Sequence, residues 1–281
     1  MGNLYVDGRI MISDQEFNRI ADFLKRKYGI DMTEKKIIMN GRLENYVWSH
    51  GYDSFNGFMN AMESDITGSL EKDLVNMLTT NHTYFMRESE HFDYLRQVII
   101  PWIKEREQNT KDMRIWCGAA SSGEEPYGLA MVVRETLGLE VSKWDSTILA
   151  TDISEEALSK AIAGEYEEEQ VAVLPENWKR RYFRPIMNTT RYKVTDELKE
   201  QVLFRKFNLM SNFPFRKPMH VIFMRNVMIY FDDATKKELV QKIYDALLPG
   251  GYLFVGRTET INRDGTGFEM IMPSVFRRPI E

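Results

Sequence analysis

The chain has 281 residues, of which 43% are hydrophobic and 28% are charged. These proportions are typical of a folded globular protein and exclude a disordered, collagen-like or coiled-coil chain. The net charge of −5 disfavours general nucleic-acid binding, which relies on a basic face. No apolar run of about 18 residues occurs, so no membrane-spanning helix is expected. The single cysteine, Cys117, precludes an intramolecular disulfide and favours a reducing, cytoplasmic location.

The first part of the chain is predicted to be an all-helical domain, residues 1–79, with no strand signal. Ser13 and Glu16 form a capping box in front of the first helix, which Gly29 ends. Three more helices are predicted from periodicity, over about Glu34–Ser49, from near Asp53, and through Leu70, Leu74 and Leu78.

From residue 80 onward, short apolar runs alternate with helical segments. The predicted strands are Arg114–Cys117, Ser146–Thr151, Met219–Met224 and Tyr252–Gly256. The predicted helices are Ser89–Ile100 (ended by Pro101), Pro126–Leu137, Ser154–Ala163 and Asp233–Leu248. Such alternation predicts βαβ units around a parallel sheet. The tail, Phe268–Pro279, is expected to add a hairpin of two further strands.

One stretch, Tyr166–Phe207, interrupts the alternation. It contains a helical piece, Pro175–Tyr182, and two strand-like segments, Arg191–Val194 and Val202–Phe207. We interpret it as a small insertion, about residues 167–206, in a sheet domain that covers residues 80–281.

Ligands of such sheets bind at the carboxyl ends of the strands. After the first strand come small residues and then Glu124 and Glu125, without a Gly-rich phosphate-binding motif. Two carboxylates at a helix N-terminus would repel a diphosphate and favour a cationic ligand such as S-adenosylmethionine. The alternative is that they only stabilise the helix dipole. From these residues alone, the two interpretations stand equal.

Polar residues also follow the other strands. Asp152 lies where a ribose diol is held; the alternative is a helix N-cap, although Ser154 already fills that role. Asn208 suits an adenine edge or a turn. Arg225 and Asn226 are expected at the rim of the pocket or as a cap on the sheet.

The connection Thr79–Glu88 interleaves polar and aromatic residues, as in a loop that folds over a ligand. No metal is expected, because the four histidines have no metal-ligand spacing with one another. We interpret His220 as a core residue and Cys117 as a small buried hydrophobe.

Five motifs resemble the chemotaxis receptor methyltransferases, the CheR family. They are NHTYFMRE (81–88), AASSGEEPY (119–127), ATDI (150–153), FNL (207–209) and RNVMIYF (225–231). The resemblance spans most of residues 70–260. It implies an α/β fold: a Rossmann-like S-adenosylmethionine-dependent methyltransferase domain, an N-terminal all-helical domain and a small inserted antiparallel β-subdomain.

The resemblance also implies the chemistry. A methyl group would pass from S-adenosylmethionine to glutamate side chains of receptors, giving methyl esters for sensory adaptation and leaving S-adenosylhomocysteine. Arg87 and Tyr230 would lie beside the transferring methyl group. Cofactor contacts would fall on Asn81, Thr83, Arg87, Glu125, Asp152, Asn208, Leu209, Arg225 and Asn226. The alternatives are a methyltransferase for another substrate and a non-catalytic module that senses the cofactor.

The expected partner is the cytoplasmic helical bundle of methyl-accepting chemotaxis receptors, without nucleic acid or membrane insertion. Residues 183–190 lack the glycine-bearing loop with which longer members tether a receptor pentapeptide, which makes tethering doubtful here. Between Phe23 and Arg42, six basic and two acidic residues give a net charge of +4. This segment is either an ordinary solvated face or a patch for an acidic receptor bundle.

Overall fold

The computed structural model describes residues 4–6, 9–261 and 265–280. Contacts divide the chain into two compact units. The first, called the helical unit, comprises Met1–Thr80 and a return segment, Tyr230–Thr235. The second, called the sheet unit, comprises Asn81–Ile229 and Lys236–Glu281. No helix within the described ranges is long and apolar enough to cross a membrane.

The helical unit opens with a short hairpin of β1 (Leu4–Val6) and β2 (Arg9–Met11), in which Leu4 lies opposite Met11. The prediction that this part of the chain has no strand is therefore wrong. Strands of three residues are too short to show alternation. The Asp7-Gly8 dipeptide between them was the available hairpin signal in the sequence.

Four helices follow in this unit: α1 (Asp14–Tyr28), α2 (Lys36–Ser49), α3 (Phe55–Ser64) and α4 (Ser69–Leu78). The capping box of Ser13 and Glu16 is confirmed, and Gly29 ends α1 in the left-handed conformation with φ 73°. The return segment joins this unit through an antiparallel bridge between Ile30 and Phe231.

The sheet unit begins with a helix that continues past its proline. Its parts are α5 (Ser89–Tyr94), a π-helical turn (Leu95–Ile99) and α6 (Ile100–Arg106). The prediction that Pro101 ends the helix is wrong. The wide turn lets Ile100 N–H bond to the Leu95 carbonyl and places Pro101 in the first turn of α6, where its missing N–H needs no partner.

The remaining elements alternate largely as the sequence predicts. Up to the insertion they are β3 (Ile115–Cys117), α7 (Glu124–Leu137), a 3₁₀ segment (Gly138–Lys143), β4 (Ile148–Asp152) and α8 (Glu155–Ala163). Next come β5 (Glu165–Glu167), α9 (Glu168–Val171), α10 (Glu176–Tyr182), β6 (Phe183–Pro185), β7 (Arg191–Val194), α11 (Asp196–Lys199) and β8 (Val202–Lys206). The last are β9 (Met219–Met224), a 3₁₀ turn (Met228–Tyr230), α12 (Asp233–Ala246), β10 (Leu247–Val255), β11 (Glu269–Met272) and β12 (Val275–Arg277).

The main sheet has seven strands in the order β11-β12-β10-β9-β3-β4-β8. The five strands from β10 to β8 are parallel, and the predicted C-terminal hairpin, β11–β12, is confirmed as an antiparallel addition. The chain runs outward from β3 through β4 to β8 and then returns to β9 on the other side of β3. The switch point, where ligands of such sheets bind, therefore lies between β3 and β9.

The insertion is smaller than predicted. Its antiparallel sheet has the order β5-β7-β6, while β8 pairs in parallel with β4 at the edge of the main sheet. The prediction that placed Val202–Phe207 in the insertion is therefore wrong. As an edge strand, β8 buries Val202 and Phe204 but exposes Leu203, and this half-buried pattern resembles that of a small antiparallel strand.

Candidate functional site

The loop between β3 and α7 packs closely at both of its glycines, and at Gly123 the conformation requires glycine. A Cβ atom on Gly118 would lie 2.8 Å from the Met224 sulfur. Gly123 has φ 99°, and a Cβ there would lie 2.9 Å from the Ala161 Cβ atom. The small residues after the first strand therefore have a steric cause, and they bring backbone to the switch point.

Asp152 ends β4 and is only 8% exposed. Its two carboxylate oxygens accept the backbone N–H groups of Ser121 and Ser154, each at 2.8 Å. Burial raises the pKa of Asp152, and the backbone hydrogen bonds oppose that rise. The side chain of Ser154 caps α8 by accepting from Ala157 N–H, so Asp152 is not that helix's N-cap. Each carboxylate oxygen retains lone-pair capacity for a ribose hydroxyl.

The two glutamates at the start of α7 have different surroundings. Glu124 is 1% exposed and accepts from Ser122 Oγ at 2.7 Å and Gln170 Nε2 at 3.3 Å. Burial raises its pKa. Glu125 accepts from the Cys117 thiol and forms an ion pair with Arg225. The expected pair of carboxylates facing one cationic ligand is therefore not formed.

Arg225, directly after β9, is the centre of a buried ion cluster. It pairs with Glu125 and Glu88, the latter at 3.2 Å, and donates to the Arg87 carbonyl at 2.5 Å. Burial acts against its charge, but the two carboxylates outweigh burial and raise the pKa of Arg225. Arg225, Glu88 and Glu125, called the Arg225 cluster, carry one net negative charge. The Arg87 guanidinium, 3.9 Å from Glu88, offsets that charge, and Asp152 adds one negative charge.

Residues 81–88, called the strap, lie against the strand ends within the sheet unit. The Asn81 carbonyl accepts from Ser121 Oγ at 3.0 Å, and the Arg225 cluster holds the other end. Thr83 is half-buried. The Arg87 guanidinium donates to the His82 carbonyl at 3.1 Å. The strap thus brings Asn81, Thr83 and Arg87 to the edge that carries Asp152 and Arg225.

The remaining expected contacts sit in turns. Asn208 Oδ1 accepts from Met210 N–H at 3.0 Å, so this side chain holds a turn, as one alternative had it. Leu209 is 8% exposed. Asn226 has φ 56° and its backbone N–H donates to Glu259 at 2.7 Å.

Tyr230 belongs by its contacts to the helical unit. Its carbonyl accepts from Asp31 N–H at 2.8 Å, and its hydroxyl donates to the Thr80 carbonyl at 3.4 Å. The Lys35 ammonium lies 5.8 Å from the centroid of its ring. Tyr230 is thus in a different compact unit from the other expected site residues.

Glu259 is a residue of this edge that sequence reasoning missed. Although only 7% exposed, it accepts four backbone N–H groups, from Gly256 at 2.5 Å, Asn226 and Met228 at 2.7 Å, and Ile229 at 3.3 Å. Burial raises its pKa and these bonds oppose the rise. The available signal was an acidic residue shortly after the last parallel strand.

Two further expectations concern cysteine and metal chemistry. Cys117 is fully buried, as expected, and burial raises its pKa, so the thiol is not an activated nucleophile. Among the described residues, no group of three or more His, Cys, Asp or Glu side chains could hold a metal ion. The site is therefore built from carboxylates, amides and arginine.

These observations define a class of protein. A mostly parallel doubly wound sheet carries an acid at the end of its second strand, close backbone approach after the first, and a net negative charge at the switch point. A cationic nucleoside without phosphates fits this set, whereas a diphosphate would be repelled. The fold and site define an S-adenosylmethionine-dependent methyltransferase.

Comparison with known proteins identifies the family. The all-alpha domain of CheR methyltransferase matches residues 15–79, and the SAM binding domain of CheR methyltransferase matches residues 81–276. The chain belongs to the CheR methyltransferase family, which confirms the predicted fold and S-adenosylmethionine as the cofactor.

Two relatives illustrate the breadth of the match. The chemotaxis protein methyltransferase of Borreliella burgdorferi is 37% identical over 274 residues, covering 96% of each chain. That of Escherichia coli is 34% identical over 265 residues, covering 92% of this chain and 89% of the relative. Among solved structures, an S-adenosylmethionine dependent methyltransferase from Mesorhizobium loti covers 51% of this chain and 46% of its own at TM-score 0.29, too low to support an argument.

Proposed function

We propose that this protein transfers a methyl group from S-adenosylmethionine to glutamate side chains of chemotaxis receptors, giving glutamate methyl esters. The names of the relatives, chemotaxis protein methyltransferases, support a role in chemotaxis. The substrate would be the cytoplasmic helical bundle of a methyl-accepting receptor.

The observation that carries this proposal is Arg87 on the strap. A glutamate side chain has a pKa of about 4.3 and is already a nucleophile at pH 7, so it needs orientation rather than deprotonation. The guanidinium is planar and offers five N–H donors in a geometry that matches a carboxylate. His91, packed near the Arg225 cluster, is 0% exposed and cannot serve an incoming substrate as a base.

The residues present fit the cofactor. When bound, it supplies a methyl group carried on a sulfonium. Asp152 would hold the ribose, while Asn208 and Leu209 would border the adenine. Asn81, Thr83, Glu125 and Asn226 would complete the pocket, whereas the side chain of Arg225 is enclosed by the protein behind Glu125.

Arg87 would orient the incoming carboxylate. Charge is lost as the ester forms, so strong ion pairing would stabilise the reactants more than the transition state. Alignment is therefore the main contribution of this side chain. Alignment by an enzyme as a whole can supply about 7–11 kcal/mol, of which one side chain provides a part.

The basic segment Phe23–Arg42 gives little support to electrostatic docking. Lys25 pairs with Asp232 at 2.8 Å, and Lys27 pairs with Glu71 at 2.6 Å. Lys36 and Arg42 are also engaged, with Asp14 and with the carbonyls of residues 77–79. Binding of a receptor is therefore expected to depend only weakly on salt, and pentapeptide tethering is not part of the proposal.

The test uses the purified protein, methyl-labelled S-adenosylmethionine and receptor cytoplasmic fragments. Base-labile label in glutamate residues of the receptor is expected, and Arg87→Ala should lower turnover about 10- to 100-fold at saturating S-adenosylmethionine. Arg96→Ala, which removes an exposed pair with Asp93, is the matched control.

Three outcomes would overturn the proposal. Tight cofactor binding without turnover on any receptor would favour a sensing module. Label in nucleic acid or a small molecule would favour another substrate class. Full turnover by Arg87→Ala would remove the assigned role of that side chain.

A further inference from the structure

We propose that Arg225 is a positioning residue that acts on the reaction through the backbone of Arg87, and that it holds the strap in a conformation the strap would not otherwise keep. This inference rests on the proposed function, because it assigns Arg225 a task in orienting the receptor carboxylate. It differs from the direct cofactor contact that family resemblance implies for Arg225.

The first observation is how the guanidinium is used. The side chain of Arg225 is 1% exposed, and its two terminal nitrogens bind Glu125, Glu88 and the Arg87 carbonyl. Its Nε is buried and has no hydrogen-bond partner in the described structure. All the nitrogens are therefore either engaged within the protein or covered by it.

The second observation is the backbone of the strap. Met86 and Glu88, on either side of Arg87, have φ 58° and φ 56°. Non-glycine residues seldom adopt the left-handed conformation, and two so close together persist only where the surroundings fix them. Arg225 supplies the fixing contacts, to the Arg87 carbonyl and to the Glu88 carboxylate.

A third observation is a second contact to the Glu88 carboxylate. Arg257 N–H donates to Glu88 Oε2 at 3.2 Å, so the Glu88 carboxylate lies between β9, which leads to Arg225, and β10, which leads to Arg257. Contacts with the residues that follow two adjacent strands thus hold the strap at Arg87 and Glu88. The Arg87 side chain starts from this held part of the backbone. Loss of the Arg225 contacts should let the flanking residues relax and change the direction of Arg87.

The test is a double-mutant cycle with Arg225→Lys and Arg87→Ala, measured as turnover with the receptor fragment. Lysine keeps the charge but cannot bridge two carboxylates and a carbonyl, so turnover should fall about tenfold or more. In the Arg87→Ala background the same change should have little further effect, because Arg225 acts through Arg87. Effects that multiply independently would overturn the inference.

A second measurement does not depend on activity. Amide hydrogen exchange in residues 81–88 should accelerate in Arg225→Lys, and in Glu88→Gln, which weakens the same contact from the strap side. The control Arg96→Ala should leave exchange there unchanged. Unchanged exchange in both cluster variants would overturn the inference. If the wild type methylates no receptor, the proposed function fails and exchange alone decides whether Arg225 holds the strap.

Discussion

Charged side chains cluster at both ends of the parallel strands, partly buried at the end where the strands begin (the amino edge) and almost fully buried at the end where they finish (the carboxyl edge). At the amino edge, His220 is 0% exposed; its Nδ1 accepts from Arg114 N–H and its Nε2 lies 3.1 Å from Glu107 Oε1. Arg114 in turn pairs with Asp112 at 2.6 Å. At the carboxyl edge, the Arg225 cluster binds the strap instead of a regular element.

Backbone strain is more frequent at the carboxyl edge than at the amino edge, where Lys111, with φ 53°, is adjacent to Asp112. Seven non-glycine residues have positive φ in the described structure, and four of them, Met86, Glu88, Ser121 and Asn226, surround the carboxyl edge. Strained backbone of this kind collects at functional sites, where the surrounding contacts maintain it. The comparison teaches that similar ion pairs support the start of the strands at one edge and hold functional loops in place at the other.

The pH dependence of stability should be the largest effect, because each edge has one buried histidine. Burial lowers the pKa of His220 and of His91 to about 4, against Glu107 in the first case and together with Arg225 in the second. Between about pH 6.5 and 4 the unfolded chain binds more protons than the folded one. Unfolding free energy should therefore fall as the pH is lowered through this window, by up to about 3 kcal/mol for each histidine.

Thermal unfolding between pH 7.5 and 4 measures this dependence. His220→Gln should flatten the curve and leave methyl transfer at pH 7.5 unchanged, whereas His91→Gln should flatten the curve and also lower turnover. If neither substitution changed the dependence of unfolding on pH, neither histidine would be the cause of that dependence.

Glu259 should be an exception to this division, because it lies at the carboxyl edge and yet supports the fold. Glu259→Ala would leave four buried N–H groups without their acceptor, which should lower the free energy of unfolding by about 3–5 kcal/mol. Urea unfolding measures the loss, with the exposed Glu269→Ala as control. A loss below about 1 kcal/mol would show that water replaces the carboxylate easily.

Asp152→Asn, at the carboxyl edge, should weaken ligand binding, whereas a matched substitution at the amino edge should not. The amide NH₂ would face the N–H of Ser121 or Ser154, and the charged acceptor for the ribose would be lost. S-adenosylhomocysteine binding, measured by calorimetry, should weaken about 10- to 100-fold. Asp145→Asn, just before the same strand at the amino edge, should bind normally. Equal weakening by both substitutions would contradict the assignment.

The smallest effect is expected from Lys217→Ala at the amino edge. Its ammonium pairs with Asp112 at 2.8 Å, but the side chain is 69% exposed. Exposed pairs contribute little, so the free energy of unfolding should change by less than about 0.5 kcal/mol. Denaturant titration beside the wild type is sufficient, and a loss above about 1 kcal/mol would show that the amino-edge cluster acts as one unit.

Much of the fold follows from local patterns in the sequence. Fully buried strands such as β9 read as continuous apolar runs, and caps such as Ser13 and Ser154 mark helix starts. Predictions failed where tertiary context prevailed: in the three-residue strands β1 and β2, at Pro101 after the π-helical turn, and in the edge strand β8.

The sequence predicted where the site residues lie in the fold, but not which of them contact one another. Strand ends pointed to Asp152 and Arg225, because parallel strands end at one edge. The contact from Arg225 to Arg87 joins residues 138 positions apart, and local sequence patterns cannot predict it. The opposed environments of Glu124 and Glu125 likewise depend on Gln170 and Arg225, which come from distant parts of the chain.

The return segment has a consequence for biosynthesis. Residues 230–235 complete the helical unit, including the bridge from Phe231 to Ile30, yet all of residues 81–229 must be translated first. At about 5–20 residues per second, this delay lasts on the order of ten seconds or more. The amino-terminal helices therefore emerge from the ribosome well before their unit can be completed, which happens only after about three quarters of the sheet unit has been made.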